Sequence, residues 1–148
     1  MFWGGFGFNG VLPLSEISTR MNSNGYTDIL EESLLPEARQ MGGRGWIFQQ
    51  DNAPVHKSKW TMDWFSRKKV RVLDWPARSP DLNPIENLWG IMTRSVYARG
   101  RQYSNVNELR LAIQLAWNNI SLETLRNLIN SMKNRIFQVV YNRGGFIR

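Results

Sequence analysis

Cysteine is absent from the 148-residue sequence, which rules out disulfide staples and thiolate zinc sites and suits a reducing compartment. Long apolar runs are missing as well. Nothing approaches the roughly 18 consecutive apolar residues of a membrane span, so no membrane partner is expected. The opening MFWGGFGFNG is apolar, but it has no basic flank, and its glycines and Asn9 interrupt it; no signal peptide is expected. Gly4, Gly5 and Gly7 do not make a phosphate-binding loop, because no Lys and no helix follow them. Histidine occurs once, at His56, and after Glu123 there is no acid at all. No repeat, low-complexity tract or long Gly/Ser/Pro linker divides the chain, so a single domain over residues 1–148 is expected.

What the chain does have is aromatic bulk and an uneven charge. Hydrophobic residues make up 42%, with seven Trp and seven Phe, enough for a real core. Residues 1–50 hold three Lys/Arg against five Asp/Glu, a balance of −2, whereas residues 51–148 hold 16 against seven, a balance of +9. That asymmetry fits a surface that releases counterions from a polyanion, and it fits equally a solvated basic face that keeps the protein soluble.

Turn and cap signals order the elements. Asn9-Gly10 is the favoured pair for a hairpin between MFWGGFGF and VLPLSEI, with Pro13 placing the second strand at an edge. Helical spacing spans Ser23 to Gln40, stopped by Gly42-Gly43; a strand covers Gly45 to Gln50; a helix covers His56 to Lys69; a strand covers Val70 to Trp75. Three further helices open at Asn83-Pro84, at Asn105 with Glu108 as capping-box partner, and at Ser121. The last should bury Leu125, Ile129, Met132, Ile136 and Val140. This order predicts an α/β fold, a mixed sheet with flanking helices in which the third and fourth strands run parallel.

In such a sheet ligands collect outside the carboxyl ends of parallel strands. Asp51 lies there, in QQDNAP. Its plain role is to turn the chain, since Asp and Asn bond nearby backbone and Pro54 fixes φ. Thirty-four residues intervene before Glu86, in the first turn of the helix after the next strand. Two such carboxylates can hold Mg²⁺, which takes hard oxygen ligands. Against that, Asn83-x-x-Glu86 reads as a capping box and an acid there complements the helix dipole. His56, five residues past Asp51, could assist the site but is read as a surface or capping residue, and Trp60 with Trp64 as core. Arg67, Lys68, Lys69 and Arg71 could follow a phosphate backbone or simply solvate a helix end; Arg78 and Arg94 join them as nucleic-acid-binding candidates.

The strings QQDNAPVH and VLDWPARSPDLNPIENLW, with the 34-residue gap, resemble the catalytic domain of the Tc/mariner superfamily of DDE-type DNA transposases. MFWGGFGFNG, YTDILEESLLP and SMKNRIFQVVYNRGG resemble it too, so the likeness runs along essentially the whole chain. It implies an RNase H-like fold and a two-metal enzyme that cuts transposon ends and joins them to target DNA. Mg²⁺ would be the cofactor, with Mn²⁺ as substitute, Asp51 the second catalytic and metal-binding carboxylate, and Glu86 the third. The expected partners are double-stranded DNA, as transposon ends and target, and a second copy in a homodimer; the expected location is the nucleus. The family's first catalytic Asp lies on a central strand just upstream of the segment resembling MFWGGFGF, and neither Glu16 nor Asp28 takes its place. No amino-terminal helix-turn-helix domain lies within the 148 residues. The chain therefore reads as the carboxyl-terminal part of the catalytic domain, lacking the first strand and retaining little or no cleavage activity alone. The other reading is a non-catalytic DNA-binding or interaction module.

Overall fold

Aromatic residues alternating with glycine build the first elements of the computed structural model, which describes residues 1–76 and 79–142. The chain divides into two compact units, one of Met1–Gly5 with Leu12–Pro80 and the other of Phe6–Val11 with Asp81–Arg148.

In the first unit, β1 (Phe2–Trp3) pairs antiparallel with β4 (Ser15–Glu16), Phe2 opposite Glu16 and Trp3 opposite Ser15. A side chain at Gly5 would bring its Cβ to 2.8 Å from Leu12 Cδ1, so glycine there lets Leu12 enter the core. The Asn22 side chain accepts the Gly25 N–H at 2.9 Å and starts α1 (Ser23–Ile29). The helix then widens into a π-turn over Leu30–Leu34, with the Leu35 N–H reaching back five residues to the Leu30 carbonyl. Pro36, which has no N–H to donate, follows directly. After α2 (Ala38–Gly42), Gly43 takes φ +74° and ends the helix, as the sequence predicts.

The two strands expected at residues 45–50 and 70–75 shrink to one parallel bridge, Phe48 with Val72. The Arg71 carbonyl accepts the Phe48 N–H at 2.8 Å, and the Phe48 carbonyl accepts the Leu73 N–H at 2.7 Å. The direction of pairing is the expected one. A longer ladder needs consecutive paired residues, and among the described residues no named strand flanks this bridge.

The expected helix from His56 to Lys69 is two helices, α3 (Pro54–Lys57) and α4 (Lys59–Arg67). They break at Ser58, whose ψ of 149° is extended and whose hydroxyl accepts the Thr61 N–H. Lys69, just beyond α4, has φ 55°, a left-handed conformation that side chains resist. Around this frame Leu12, Tyr26, Leu30, Leu34, Ala38, Trp64 and Phe65 form one buried cluster. Trp60, expected in the core, is 49% exposed, because α4 begins at Lys59 and places it in the first turn, away from the buried row.

In the second unit, β2 (Phe6–Gly7) and β3 (Gly10–Val11) form the tip of the expected hairpin. Three helices follow: α5 (Pro84–Val96), α6 (Val106–Asn118) and α7 (Leu122–Tyr141). Leu88, Met92 and Val96 recur every four residues on the buried face of α5, and the Trp89 ring stacks on the fully buried Trp117, centroids 5.1 Å apart. The predicted caps of α6 and α7 are present: Asn105 accepts the Glu108 N–H at 3.0 Å, and Ser121 accepts the Thr124 N–H at 3.1 Å. Between α5 and α6, Arg99 is the other side-chain-bearing residue with positive φ, 59°, among the described residues. The stripe expected on α7 is buried only at its start. Leu125 is covered and Ile129 and Met132 half-buried, whereas Ile136 and Val140 stand exposed in turns that lack that covering.

Candidate active site

Asp51 lies three residues after the bridged Phe48 and three before the start of α3. The turn reading of QQDNAP holds: Asp51 Oδ1 accepts the Ala53 N–H at 3.0 Å, and the Asn52 amide donates to the Trp75 carbonyl at 2.9 Å, tying this turn to the end of the second bridged segment. The same Oδ1 lies 2.6 Å from His56 Nδ1. Both contacts fall on one oxygen. Oδ2 has no protein partner among the described residues, and the Asp51 side chain is 53% exposed.

Behind the carboxylate sits a buried polar brace. The Tyr26 hydroxyl donates to Gln50 Oε1 at 2.6 Å, and Gln50 Nε2 donates to the His56 carbonyl at 3.3 Å. A carbonyl only accepts, so the Gln50 amide has one orientation that serves both ends, with Tyr26 as donor. The His56 ring rests against the Tyr26 ring, centroids 4.4 Å apart. Burial first, and the Asp51 charge second, push the Tyr26 hydroxyl pKa far above its ordinary value, so it remains a protonated donor.

Glu86 lies in the other unit, in the first turn of α5, and is exposed. The capping box that would explain it is not formed. Asn83 is buried and makes no side-chain capping bond; its carbonyl accepts the Glu86 N–H at 3.1 Å, and the Glu86 carboxylate bonds no described residue. What remains of the alternative is the favourable position of an acid at a helix start. Next to it, Asn87 is held by Arg135 of α7, whose Nη1 donates to Asn87 Oδ1 at 2.6 Å and to the Asp81 carbonyl at 3.0 Å while its Nε donates to Ser131 Oγ at 3.0 Å.

The donor chemistry, two exposed carboxylates without a thiolate, fits a hard divalent cation such as Mg²⁺ or Mn²⁺. Among the described residues no three His, Asp or Glu side chains gather into a metal-holding group.

The nucleic-acid candidates divide. Arg67 is exposed and lies over the Trp60 ring, 6.0 Å from its centroid, while the Trp60 N–H donates to Thr27 Oγ1. Lys68 is engaged by Glu31, and its hydrogen bond is the main cause holding the Glu31 carboxyl below its ordinary pKa. Lys69, Arg71 and Arg94 are exposed, and Arg78 lies outside the described residues.

Sequence reasoning passed over Tyr26, Gln50 and Arg135 as members of the site. Tyr26 reads as one more apolar helical residue, Gln50 as a strand end, and Arg135 as part of a basic tail. Their partners lie 24 and 48 residues away, and no local pattern announces them.

Comparison with known proteins identifies the family. Residues 8–110 match a family described as DDE superfamily endonuclease, a span that includes both Asp51 and Glu86. The Tc3 transposase of Caenorhabditis elegans is 44% identical over 144 residues, covering 97% of this chain and 44% of that protein. The Tc1 transposase of the same organism is 40% identical over 146 residues, covering 99% of this chain and 52% of that protein. The chain thus spans about half the length of these relatives. Among solved structures, the catalytic domain of the Mos1 mariner transposase superposes with a TM-score of 0.77 at 18% identity, over 100% of this chain and 82% of that one. A Mos1 paired-end complex with the left transposon end gives 0.82 at 21% identity, over 98% of this chain and 44% of that one. These neighbours carry the RNase H-like fold. The chain belongs to the DDE superfamily endonucleases, as a carboxyl-terminal part of a Tc/mariner-type transposase catalytic domain.

Proposed function

We propose that this chain supplies the carboxyl-terminal share of a metal-dependent catalytic centre that cuts transposon-end DNA and joins it to target DNA. The observation that carries the proposal is the state of Asp51: one carboxylate oxygen is anchored by two bonds, the other has no partner among the described residues, and the side chain is about half exposed. Glu86, exposed and without a capping role, is the second ligand. Mg²⁺ or Mn²⁺, when bound, would activate an oxygen nucleophile and stabilise the leaving oxygen of a phosphodiester. The Mos1 catalytic domain has been solved with each of these metals, which supports the choice. The chain's own residues hold and orient the ligands, and exposed Arg67, Lys69, Arg71 and Arg94 are available to the phosphate backbone.

The 148 residues by themselves offer two of the three carboxylates that the resemblance implies, so the isolated chain should cleave weakly or not at all. Robust Mg²⁺-dependent cleavage of transposon-end DNA by the purified chain, abolished by Asp51→Ala, would overturn this. The same reading implies a homodimer, to be tested by sedimentation, and a nuclear location, to be tested by imaging the tagged protein.

One observation favours a second reading, a DNA-binding module without chemistry: the exposed Trp60 with Arg67 over its face offers stacking and charge together. Binding that weakens with salt and survives the double variant Asp51→Ala, Glu86→Ala would favour the module. Metal uptake that fails in either single variant favours the catalytic centre.

A further inference from the structure

The geometry points to His56 as the positioning residue of Asp51: it ties Oδ1 so that Oδ2 is the oxygen offered to a divalent cation. This rests on the reading of Asp51 as a metal ligand. An ionised carboxylate can only accept, so the 2.6 Å contact requires a proton on His56 Nδ1; in the neutral ring Nε2 is then the bare nitrogen. A pair this open to solvent on its carboxylate side adds little to folding. What it does change is the freedom of the carboxylate. With the Ala53 N–H and His56 Nδ1 both on Oδ1, the Asp51 side chain is held in one orientation before any cation arrives, and the ordering cost of binding falls.

His56 is itself held from three directions. Its backbone is fixed at the third position of α3, where its N–H reaches the Ala53 carbonyl at 2.9 Å. Its carbonyl accepts from Gln50, which Tyr26 orients, and its ring packs on Tyr26. The chain from the buried Tyr26 to the exposed Asp51 is thus continuous: hydroxyl, amide, backbone carbonyl, imidazole, carboxylate. No link in it is fully exposed until the last.

The test uses the whole chain and Mn²⁺ alone, read by loss of the free-ion paramagnetic resonance signal, with nitrogen-15 NMR of the histidine ring in metal-free protein at mildly alkaline pH. The expected NMR result is a proton on Nδ1 and none on Nε2. Substitution separates the two ring positions. Asn places an amide N–H near the site of Nδ1, whereas Gln carries it out toward Nε2. His56→Asn should keep Mn²⁺ affinity within about three-fold of wild type, while His56→Gln and His56→Ala should weaken it by about ten-fold or more, as loss of a hydrogen bond to a metal ligand does. Far-ultraviolet circular dichroism confirms that each variant is folded before it is titrated. A neutral ring with its proton on Nε2 overturns the inference. So does Mn²⁺ uptake that Asp51→Ala abolishes but that is equal in all three His56 variants, an outcome that leaves the metal reading standing. Wild-type chain that takes up no Mn²⁺ refutes the metal reading and this inference with it.

Discussion

Replacing Tyr26 with Phe should destabilise the protein at neutral pH and cease to do so in strong alkali. The substitution removes one hydroxyl from a side chain that is 1% exposed and leaves Gln50 Oε1, on a residue 7% exposed, without its donor. Losing such a bond and stranding its buried partner costs about 1–3 kcal/mol, and we take about 2 as the expected loss at pH 7. The pH dependence follows from the raised pKa of the hydroxyl in the folded state. Above its ordinary value of 10.0, the unfolded chain releases this proton and the folded one keeps it. The unfolded state then binds fewer protons, so stability falls as pH rises, by about 1.4 kcal/mol per unit once well above 10. The Phe variant lacks this loss. The difference between the two proteins should therefore be flat up to about pH 9, shrink to less than about 1 kcal/mol near pH 11, and vanish near pH 11.5. Urea unfolding at a series of pH values, followed by tryptophan fluorescence, measures it, and every other titrating group cancels in the comparison. A difference that stays constant from pH 8 to 11 would refute the reasoning, because it would mean that the hydroxyl ionises equally in both states.

Three further outcomes are expected. Trp117→Ala, at a fully buried ring stacked on Trp89, should cost about 3–5 kcal/mol in urea unfolding; a cost under about 1 would mean that the α5–α6 packing is not as described. Ser58→Ala removes the cap of α4 and should cost about 1 kcal/mol, with Ser58→Asp restoring most of it in thermal melts. Arg135→Lys should lose about as much stability as Arg135→Ala, about 1–3 kcal/mol, since a single ammonium nitrogen cannot serve the Asp81 carbonyl and the Asn87 amide while a second nitrogen donates to Ser131, as the guanidinium does; full rescue by Lys would show that charge alone matters there.

Much of this fold is written locally. Asn105 with Glu108, Ser121 with Thr124, and Gly43 after α2 mark helix ends because each satisfies backbone groups within a few residues of itself. Asp51 and Glu86 are legible because a carboxylate at a strand end, and another in a first helical turn, are positions that sequence order defines. The missed features are those in which a local signal is overridden or a partner is distant. Trp60 and Trp64 share a helical period, yet the break at Ser58 starts α4 so late that Trp60 projects from its first turn. Asn83 carries a capping side chain, yet it is buried and makes no capping bond. The Tyr26–Gln50–His56 brace depends on tertiary contact between a helix and a turn, and the periodic pattern that places Tyr26 in the core says nothing about where its hydroxyl goes.

Lys69 and Arg99, the two side-chain-bearing residues with positive φ among the described residues, each sit where a helix has just ended and where glycine would relax the backbone. The left-handed conformation costs an ordinary residue about 1 kcal/mol relative to glycine. A stabilised variant obtained by substituting glycine at both places would therefore be less basic by two charges. Backbone relaxation and attraction for a polyanion are traded against each other at a single side chain, twice over. Ranking variants by melting temperature alone would select against the positive charge that the carboxyl-terminal two-thirds of the chain accumulates.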